Sequence, residues 1–416
     1  MVRLLVIADD FTGALDTGVQ FRAKDSFVLV YKEGEKDLVE SLKKDVQVLI
    51  VDAETRHLDA GRAFDIISSI VDTAVRMGVS YIYKKTDSGM RGNIGSELAA
   101  FLFASKGKHI HFIPAFPKMG RTTLNGIHYI DGIPVSESVF GADLYEPVRR
   151  SAVKDIIAEQ SDVKVYEMGK HAAACSLEGI LVYDGTSEDE MYQLATELKE
   201  KDELHLLAGC AGFAGILFGM IGLEAQENQI PRLHDGLLTI CGSINMVTVR
   251  QLDHAAEAGM YRIFLSPEQK LQKGWSGSES GKACITKWQE DIRRHKDAII
   301  ECGVHDMENT REYIRESNLA PSEVRERIAD AMGSVLKGLL DAGIKKTILV
   351  TGGDTLQAFM KQIHQNRLVP ICEILSGVVL SRFEYHGGSY DLISKSGGFG
   401  HEELLVDMAR LIRQKY

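Results

Sequence analysis

Cysteine is scarce and shows no pairing pattern: the six, at positions 175, 210, 241, 284, 302 and 372, include no Cys-x-x-Cys. That excludes a zinc-ribbon arrangement and a dense disulfide framework. Positive charge is in deficit, with a formal net charge of −11. No basic field spans the chain, so a nucleic-acid partner is disfavoured, although a local cationic pocket for a small anion is still allowed. No run of about 18 apolar residues is present to cross a membrane as a helix. The opening MVRLLVIADD has a five-residue apolar run before two aspartates, too short for a secretory signal. Two nucleotide signatures are missing as well. The turn after the first apolar run is ADDFTG in place of G-x-G-x-x-G, which argues against a nicotinamide-dependent oxidoreductase. In WSGSESGKA (275–283), three residues separate Gly277 from Gly281-Lys282 where a P-loop needs four, and Ala283 replaces the hydroxyl. What is left is a cytoplasmic enzyme or binding protein.

What is present describes two globular domains. At 416 residues the chain is too long for one ordinary core, and its 44% hydrophobic and 26% charged content is that of a soluble protein. The polar stretch EAQENQIPRLHDG (224–236) carries Pro231 and ends in turn residues, so it is the expected linker. Domains of 1–225 and 226–416 follow.

The first half repeats one pattern. Leu4–Ala8 reads as a buried strand, with Asp9-Asp10 at its carboxyl end and a helix opening at Thr12-Gly13. Residues 46–51 form the next strand, followed by Glu54-Thr55-Arg56 and an amphipathic helix over 60–77. The run 79–83 leads into KKTDSGMRGN (84–93) and an apolar helix over 94–104; His109–Ile113 leads into PAFPKMGRTT (114–123). Strands alternating with helices indicate a mostly parallel sheet, with ligands beyond the carboxyl ends of its strands. Those ends carry Asp10, Arg56, Lys85, Asp87, Ser88 and Arg91, with Arg121 farther on. Guanidinium and ammonium groups with few apolar neighbours suit a small polar anion. Plainer roles stand beside this one. Ser88 can cap the next helix, Asp87 and Arg91 can pair across its first turn, Arg56 can be a solvated loop charge, and one of Asp9 and Asp10 can cap a helix. His128 has no second ligand at metal spacing, so a structural role is expected for it. The glycines of GCAGFAG (209–215) fit a ligand or close helix packing equally well.

In the second half, Leu237–Cys241 is a strand that turns through Gly242-Ser243-Ile244-Asn245 into a helix. Residues 346–350 form another, followed by Gly352, Gly353, Asp354 and Thr355 at a helix start. KSGGFG (395–400), with Gly397 and Gly398, precedes a helix over 401–414. Glycine turns at helix amino ends expose free N–H groups that accept phosphate, although one alone is also an ordinary tight turn. Three in one domain indicate a nucleotide-phosphate site.

Six motifs in order, ADDFTGALD, KTDSGMRGN, PAFPKMGRTT, GSIN, TGGDT and KSGGFG, resemble the four-carbon acid sugar kinase family over nearly the whole chain. The resemblance implies an α/β fold of two domains, each a mostly parallel, helix-flanked sheet, with the active site in the cleft between them. It implies sugar-acid contacts at Asp10, Arg56, Lys85, Asp87, Ser88 and Arg91. Nucleotide contacts would fall at Ser243, Gly352, Gly353, Asp354, Thr355, Gly397 and Gly398. The reaction implied is transfer of the ATP γ-phosphoryl group to the terminal hydroxyl of D-threonate, or alternatively of D-erythronate or 3-oxo-tetronate. Arg56 or Lys85 would clamp the carboxylate, Asp87 or Asp10 accept the hydroxyl proton, and Arg91 stabilise the transferring group. Mg²⁺ would arrive on ATP, since no dense carboxylate cluster suggests a cage. A sugar-acid sensor is the competing class; it would not need phosphate-ready turns. The expected partners are thus the acid and ATP, without nucleic acid or membrane, and a homo-oligomer is compatible with the sequence.

Overall fold

The computed structural model describes residues 2–21, 26–30, 35–142, 147–172, 176–223, 230–303, 306–375, 377–395 and 398–415. The chain divides into two compact units, Met1–Glu227 and Asn228–Tyr416. Their boundary, like the expected one after residue 225, falls in 224–229, outside the described residues. No helix among the described residues is long and apolar enough to cross a membrane.

In the first unit, chain order runs β1 (Leu4–Ala8), α1 (Phe11–Gln20), β2 (Ser26–Val30), α2 (Glu35–Leu42), β3 (Val48–Asp52), α3 (Ala60–Arg76), β4 (Tyr81–Lys85), α4 (Ile94–Ser105) and β5 (His109–Ile113). A small antiparallel sheet follows, β6 (Arg121–Leu124), β7 (Ile127–Ile130) and β8 (Ile133–Pro134). Then come α5 (Val153–Ala158), β9 (Val165–Gly169), β10 (Gly179–Tyr183), α6 (Glu188–Glu200), β11 (Leu206–Gly209) and α7 (Ala211–Met220). The main sheet has the order β2-β3-β1-β4-β11-β5-β10-β9, and each described pairing in it is parallel. After β1 the chain builds β2 and β3 on one side and then crosses to β4 on the other. The strand order therefore reverses at β1, and the crevice beyond its carboxyl end is the topological switch point.

Local sequence explains these elements. β1, β3 and β10 are buried at each residue, as strands covered on both faces must be. α3 begins where the Asp59 carboxylate accepts the Arg62 N–H, and it buries Ala63, Ile67, Ile70, Val71 and Ala74, one helical stripe. Removing the Ile70 side chain would cost about 2–5 kcal/mol. α4 is mostly apolar and packs against α3 and α5; a Cβ on its Gly95 would stand 2.2 Å from the Ile157 carbonyl oxygen. Close packing also accounts for the glycines near 210. A Cβ on Gly209 would meet the Ile113 carbonyl at 2.3 Å, and one on Gly212 the Phe116 ring at 2.7 Å.

One strand boundary differs from the sequence reading, with consequences for the site. Lys84 and Lys85 belong to β4, held by the pairings of Ala8 and Gly209 with Lys85. Strand alternation therefore sends the two lysines to opposite faces of the sheet.

The second unit runs β12 (Leu237–Cys241), α8 (Met246–Glu257), β13 (Tyr261–Phe264), α9 (Pro267–Leu271), α10 (Glu279–Arg294), β14 (Ala298–Glu301), α11 (Met307–Glu316), α12 (Pro321–Asp341), β15 (Thr347–Thr351) and α13 (Gly353–Gln362). It ends with β16 (Arg367–Leu375), β17 (Val378–Tyr385), β18 (Gly388–Lys395) and α14 (Leu404–Lys415). The sheet order is β13-β14-β12-β15-β18-β17-β16, parallel through β18 and antiparallel across β18-β17-β16. Order reverses again at the first strand, here β12. The P-loop-like WSGSESGKA is a helix start: Ser278 accepts the Gly281 N–H and caps α10, and a Cβ on Gly281 would stand 2.0 Å from the Trp275 carbonyl oxygen.

Candidate active site

The carboxyl ends of β1, β3 and β4 bring six charges together. Arg56, just past β3, donates from Nε to Asp9 Oδ2 at 2.7 Å, from Nη1 to Asp10 Oδ2 at 2.9 Å and from Nη2 to Asp10 Oδ1 at 2.7 Å. Its Nη2 also lies 3.5 Å from Asp87 Oδ1. Lys85 Nζ donates to Asp9 Oδ1 at 3.1 Å and Asp10 Oδ1 at 3.2 Å. Arg91 holds Asp87 with two bonds, Nε to Oδ2 at 2.9 Å and Nη2 to Oδ1 at 3.0 Å. The Gly89 and Arg91 backbone N–H groups also point at Asp87 Oδ2. Three carboxylates thus balance three cations. Most of the set is buried; the Asp10 and Arg91 side chains are 22% and 27% exposed and are the members turned towards solvent.

Burial alone would push Asp9 and Asp87 towards their neutral forms, but the neighbouring cations outweigh it. Asp9 is held below the usual carboxylate range by Arg56 and Lys85, and Asp87 well below it by Arg91 and Arg56. Burial likewise opposes the charge on Lys85, yet the Asp9 and Asp10 carboxylates raise its pKa. Each group is therefore charged at neutral pH. Asp52, at the end of β3, is the exception. Burial first, and then the nearby Glu54 and Asp10 charges, push its pKa well above the ordinary value. Its Oδ1 accepts the Glu54 N–H at 3.2 Å, while its Oδ2 has no hydrogen-bond partner among the described residues.

The turn after β4 is held from several directions. Met90 has φ +63 and is buried, an uncommon backbone state for a non-glycine residue. His128 is fully buried, and burial lowers its pKa to about 4, so the ring is neutral. Its Nε2 lies 3.0 Å from the Ser88 carbonyl oxygen and its Nδ1 3.0 Å from Thr123 Oγ1. The carbonyl can only accept, so Nε2–H donates to it and Nδ1 accepts from the threonine. The structural role expected of His128 is thus a specific one: it pins the backbone of the charged turn. Ser88 does not cap α4. The Gly95 N–H is accepted by Gln160 Oε1 from outside that helix, and Gln160 Nε2 donates to the Gly92 carbonyl and to Asn93 Oδ1. Arg91 and Arg121 lie against the Phe140 ring at 5.1 and 5.9 Å. A cavity of about 200 Å³ opens beside Arg56 and Arg91, with Asn93 and Gln160 in its wall.

Several contributors were not singled out from sequence. Asp9 was read beside Asp10 as a cap alternative; the structure makes Asp10 the cap of α1, accepting the Gly13 N–H at 3.1 Å, and leaves Asp9 in the buried network. Lys84, on the other face of β4, forms a buried ion pair with Glu97 of α4 at 2.7 Å. A lysine pair at the end of a strand was the available signal, since alternation sends the two to opposite faces and each then needs its own carboxylate.

In the second unit the turns after β12, β15 and β18 meet at one sheet edge. A Cβ on Gly242 would stand 2.0 Å from Thr355 Oγ1, and one on Gly398 3.8 Å from Asn245 Nδ2. Gly352, at φ +105, precedes α13, so Gly353, Asp354 and Thr355 form that helix's first turn. Ser243 Oγ accepts the Asn245 N–H at 3.3 Å. Gln251 of α8 donates to the Phe399 and His401 carbonyls at 3.0 and 2.9 Å, tying the β18 turn to the β12 turn. Gly397 lies outside the described residues. Lys395, at the end of β18, is buried and donates to Thr248 Oγ1 at 3.1 Å; burial lowers its pKa to about 8. Carboxylates at this edge are already engaged, Asp354 by Arg325 at 2.5 Å and Glu301 by Arg262. Backbone N–H groups, hydroxyls and a lysine suit phosphate; they do not suit a protein-built Mg²⁺ cage.

The comparisons with known proteins divide the chain in the same way. A model of a sugar-binding N-terminal domain matches residues 4–217, and one of a nucleotide-binding C-terminal domain matches 238–405. The chain is 27% identical over 436 residues to a D-threonate kinase of Salmonella typhimurium, across 100% of this chain and 99% of that one. It is 22% identical to a D-erythronate kinase of Heliobacterium modesticaldum, across 97% and 95%. With a 3-oxo-tetronate kinase of Pseudomonas fluorescens the identity is 23%, across 95% and 93%. A solved Haemophilus influenzae structure shares the fold with a TM-score of 0.72, across 98% of this chain and 100% of that one at 18% identity. The charged cluster at one strand edge, the glycine turns at another and both domain matches agree: the chain belongs to the four-carbon acid sugar kinase family.

Proposed function

We propose that the chain transfers the γ-phosphoryl group of ATP to the terminal hydroxyl of a four-carbon sugar acid, D-threonate in the first place, giving the 4-phosphate. Residues 1–225 would hold the acid and residues 226–416 the nucleotide, in a cytoplasmic enzyme. The observation that carries the reading is the convergence of Asp9, Asp10, Arg56, Lys85, Asp87 and Arg91 at the switch point of the first sheet. It stands in a chain whose relatives are named as kinases of such acids.

Phosphoryl transfer has little covalent work for the protein, so positioning and charge neutralisation carry it. The acid's carboxylate would take bonds from Arg56 or Lys85 that Asp10 now occupies. Asp87, kept ionised by Arg91 and Arg56, can accept a hydrogen bond from the terminal hydroxyl and orient it for attack, and Asp10 is the other acceptor in reach of the same cations. The Ser88 hydroxyl can bond a substrate oxygen. Arg91, drawn from Asp87 towards the γ-phosphoryl group, would neutralise its developing charge. The turns at Ser243, at Gly352, Gly353, Asp354 and Thr355, and at Gly397 and Gly398 would receive the nucleotide phosphates. Mg²⁺ would come bound to ATP and screen those phosphates, with no carboxylate set of this edge assigned to it.

The test is ADP release from ATP with D-threonate, D-erythronate and 3-oxo-tetronate, each with and without Mg²⁺. Turnover of D-threonate with the highest kcat/KM is expected. Preference for one of the other acids would move the assignment within the family. Binding of an acid without ADP release would replace the kinase with a sensor.

A further inference from the structure

A second polar cluster lies away from the charged network, at the opposite end of β5. His109 and His111, two residues apart, project from the same face of that strand. Their Nε2 atoms converge on one oxygen, Glu203 Oε2, at 3.1 and 3.5 Å. The three ligand atoms lie within 4.8 Å of one another. Donors bound to one tetrahedral zinc at 2.0–2.1 Å stand about 3.3–3.4 Å apart, and the two observed spacings bracket that value.

The other ring nitrogens each have a hydrogen-bond partner, as those of metal-bound histidines do. His109 Nδ1 lies 3.1 Å from the Leu177 carbonyl oxygen, which can only accept, so Nδ1 carries the hydrogen. Its Nε2 is then the atom turned towards the Glu203 carboxylate, as when an imidazole and a carboxylate share one cation. His111 Nδ1 is held at 3.0 Å by the buried Tyr183 hydroxyl. Outer contacts of this kind orient imidazoles and strengthen them as ligands. His111 is buried and the Glu203 side chain is 31% exposed, so the cluster opens to solvent on the carboxylate side.

We propose that His109, His111 and Glu203 form a binding site for a late first-row divalent ion of the Zn²⁺ type, with water as the remaining ligand. Two imidazoles and one carboxylate favour such an ion over Mg²⁺ or Ca²⁺, which prefer all-oxygen shells. The ion joins β5 to the connection between α6 and β11. It acts there as a clip within the first unit, separate from phosphoryl transfer.

The experiment uses the full chain, freed of metal by a chelator and dialysed. ZnCl₂ titrated in a calorimeter should bind in a single equivalent that a large excess of Mg²⁺ does not displace, and should raise Tm. Co²⁺ at the same site should give the visible absorption of a tetrahedral ion. Glu203→Gln changes a partly exposed residue and keeps the fold, which circular dichroism checks. This variant and His109→Gln should each lose the equivalent and the Tm rise. Failure of the wild type to take up stoichiometric Zn²⁺ overturns the proposal, and so does uptake unchanged in a His109→Gln/Glu203→Gln double variant. The cluster would then be an ion pair between a protonated histidine and the carboxylate.

Discussion

A Cβ on Gly13 would stand 1.9 Å from Lys85 Nζ, so the ammonium group of β4 occupies the space that a side chain on α1 would otherwise fill. The same Nζ is fixed by Asp9 and Asp10, so it cannot swing aside without breaking two charged hydrogen bonds. Gly13→Ala is therefore expected to disturb the acid site more than the fold. Losing a hydrogen bond to a charged group costs about 1.5–3 kcal/mol, or roughly 10- to 150-fold in KM for the sugar acid. Steady-state kinetics with each substrate varied in turn checks this: KM for ATP should stay near the wild-type value.

The base assignment is tested by Asp87→Asn and Asp10→Asn. Loss of a positioned proton acceptor typically costs about 10²- to 10⁴-fold in rate. Both should melt below the parent, since each loses a charge that the buried cations hold, and at least one should lower kcat by that order at a temperature where circular dichroism shows it folded. Near-normal kcat in both would remove the two aspartates from the chemistry.

Arg56 donates to Asp9 and Asp10 within the first unit. Arg56→Ala should raise KM for the sugar acid and leave ATP affinity unchanged, as measured by calorimetry with a non-hydrolysable ATP analogue. Selective loss of nucleotide binding would place Arg56 in the other site.

Lys395 separates structure from function by pH. Burial lowers its pKa to about 8, so the folded chain releases this proton more readily than the unfolded one, whose lysine titrates near 10.4. The charged form therefore costs stability at pH 7, and the cost fades as pH rises through 8 towards the unfolded value. Lys395→Met should raise Tm at pH 7 and lose that advantage above pH 10. If the ammonium group meets nucleotide phosphate, the same variant should bind ATP more weakly at pH 7. Its affinity should also vary less between pH 7 and 9 than that of the wild type. Stabilisation without loss of affinity would confine Lys395 to the core.

Asp52 makes an opposite kind of pH prediction. Its folded pKa is raised, so between the unfolded value near 3.9 and the folded one the native state holds the extra proton, and stability falls as pH rises through that window. Asp52→Asn keeps the acceptor for the Glu54 N–H. It should melt higher than the wild type at pH 7 and converge with it near pH 4 in thermal scans.

Much of this architecture was legible in the chain. The KTDSGMRGN stretch concentrates its charges in consecutive residues, so local reading sufficed, and the glycine turns at 242, 352 and 398 announce themselves by composition. Partners that only the sheet brings together were harder to see. Asp9 looked like a helix cap because its cations lie 47 and 76 residues away, at Arg56 and Lys85. Glu97 sits in an apolar helix without a visible reason until Lys84 is placed on the face opposite Lys85. The antiparallel strands β16 to β18 were not anticipated at all. Pro370 interrupts the first of them beside a register shift, which hides the alternation that marks a strand. His109 and His111 read as ordinary strand residues because Glu203 arrives from more than 90 positions downstream.

The balance of three carboxylates against three cations has a consequence for selectivity. A bare cationic hollow would hold phosphate, sulfate or any dicarboxylate that drifted in. Here an entering anion finds each positive group already engaged and must offer something in exchange for the aspartates it displaces. A hydroxy acid can do so, since its hydroxyls donate to the released carboxylates while its own carboxylate takes their cations. An inorganic anion with no donors leaves those carboxylates bare. If the acid binds here, guests without donors would be turned away, and charge alone would not be a passport.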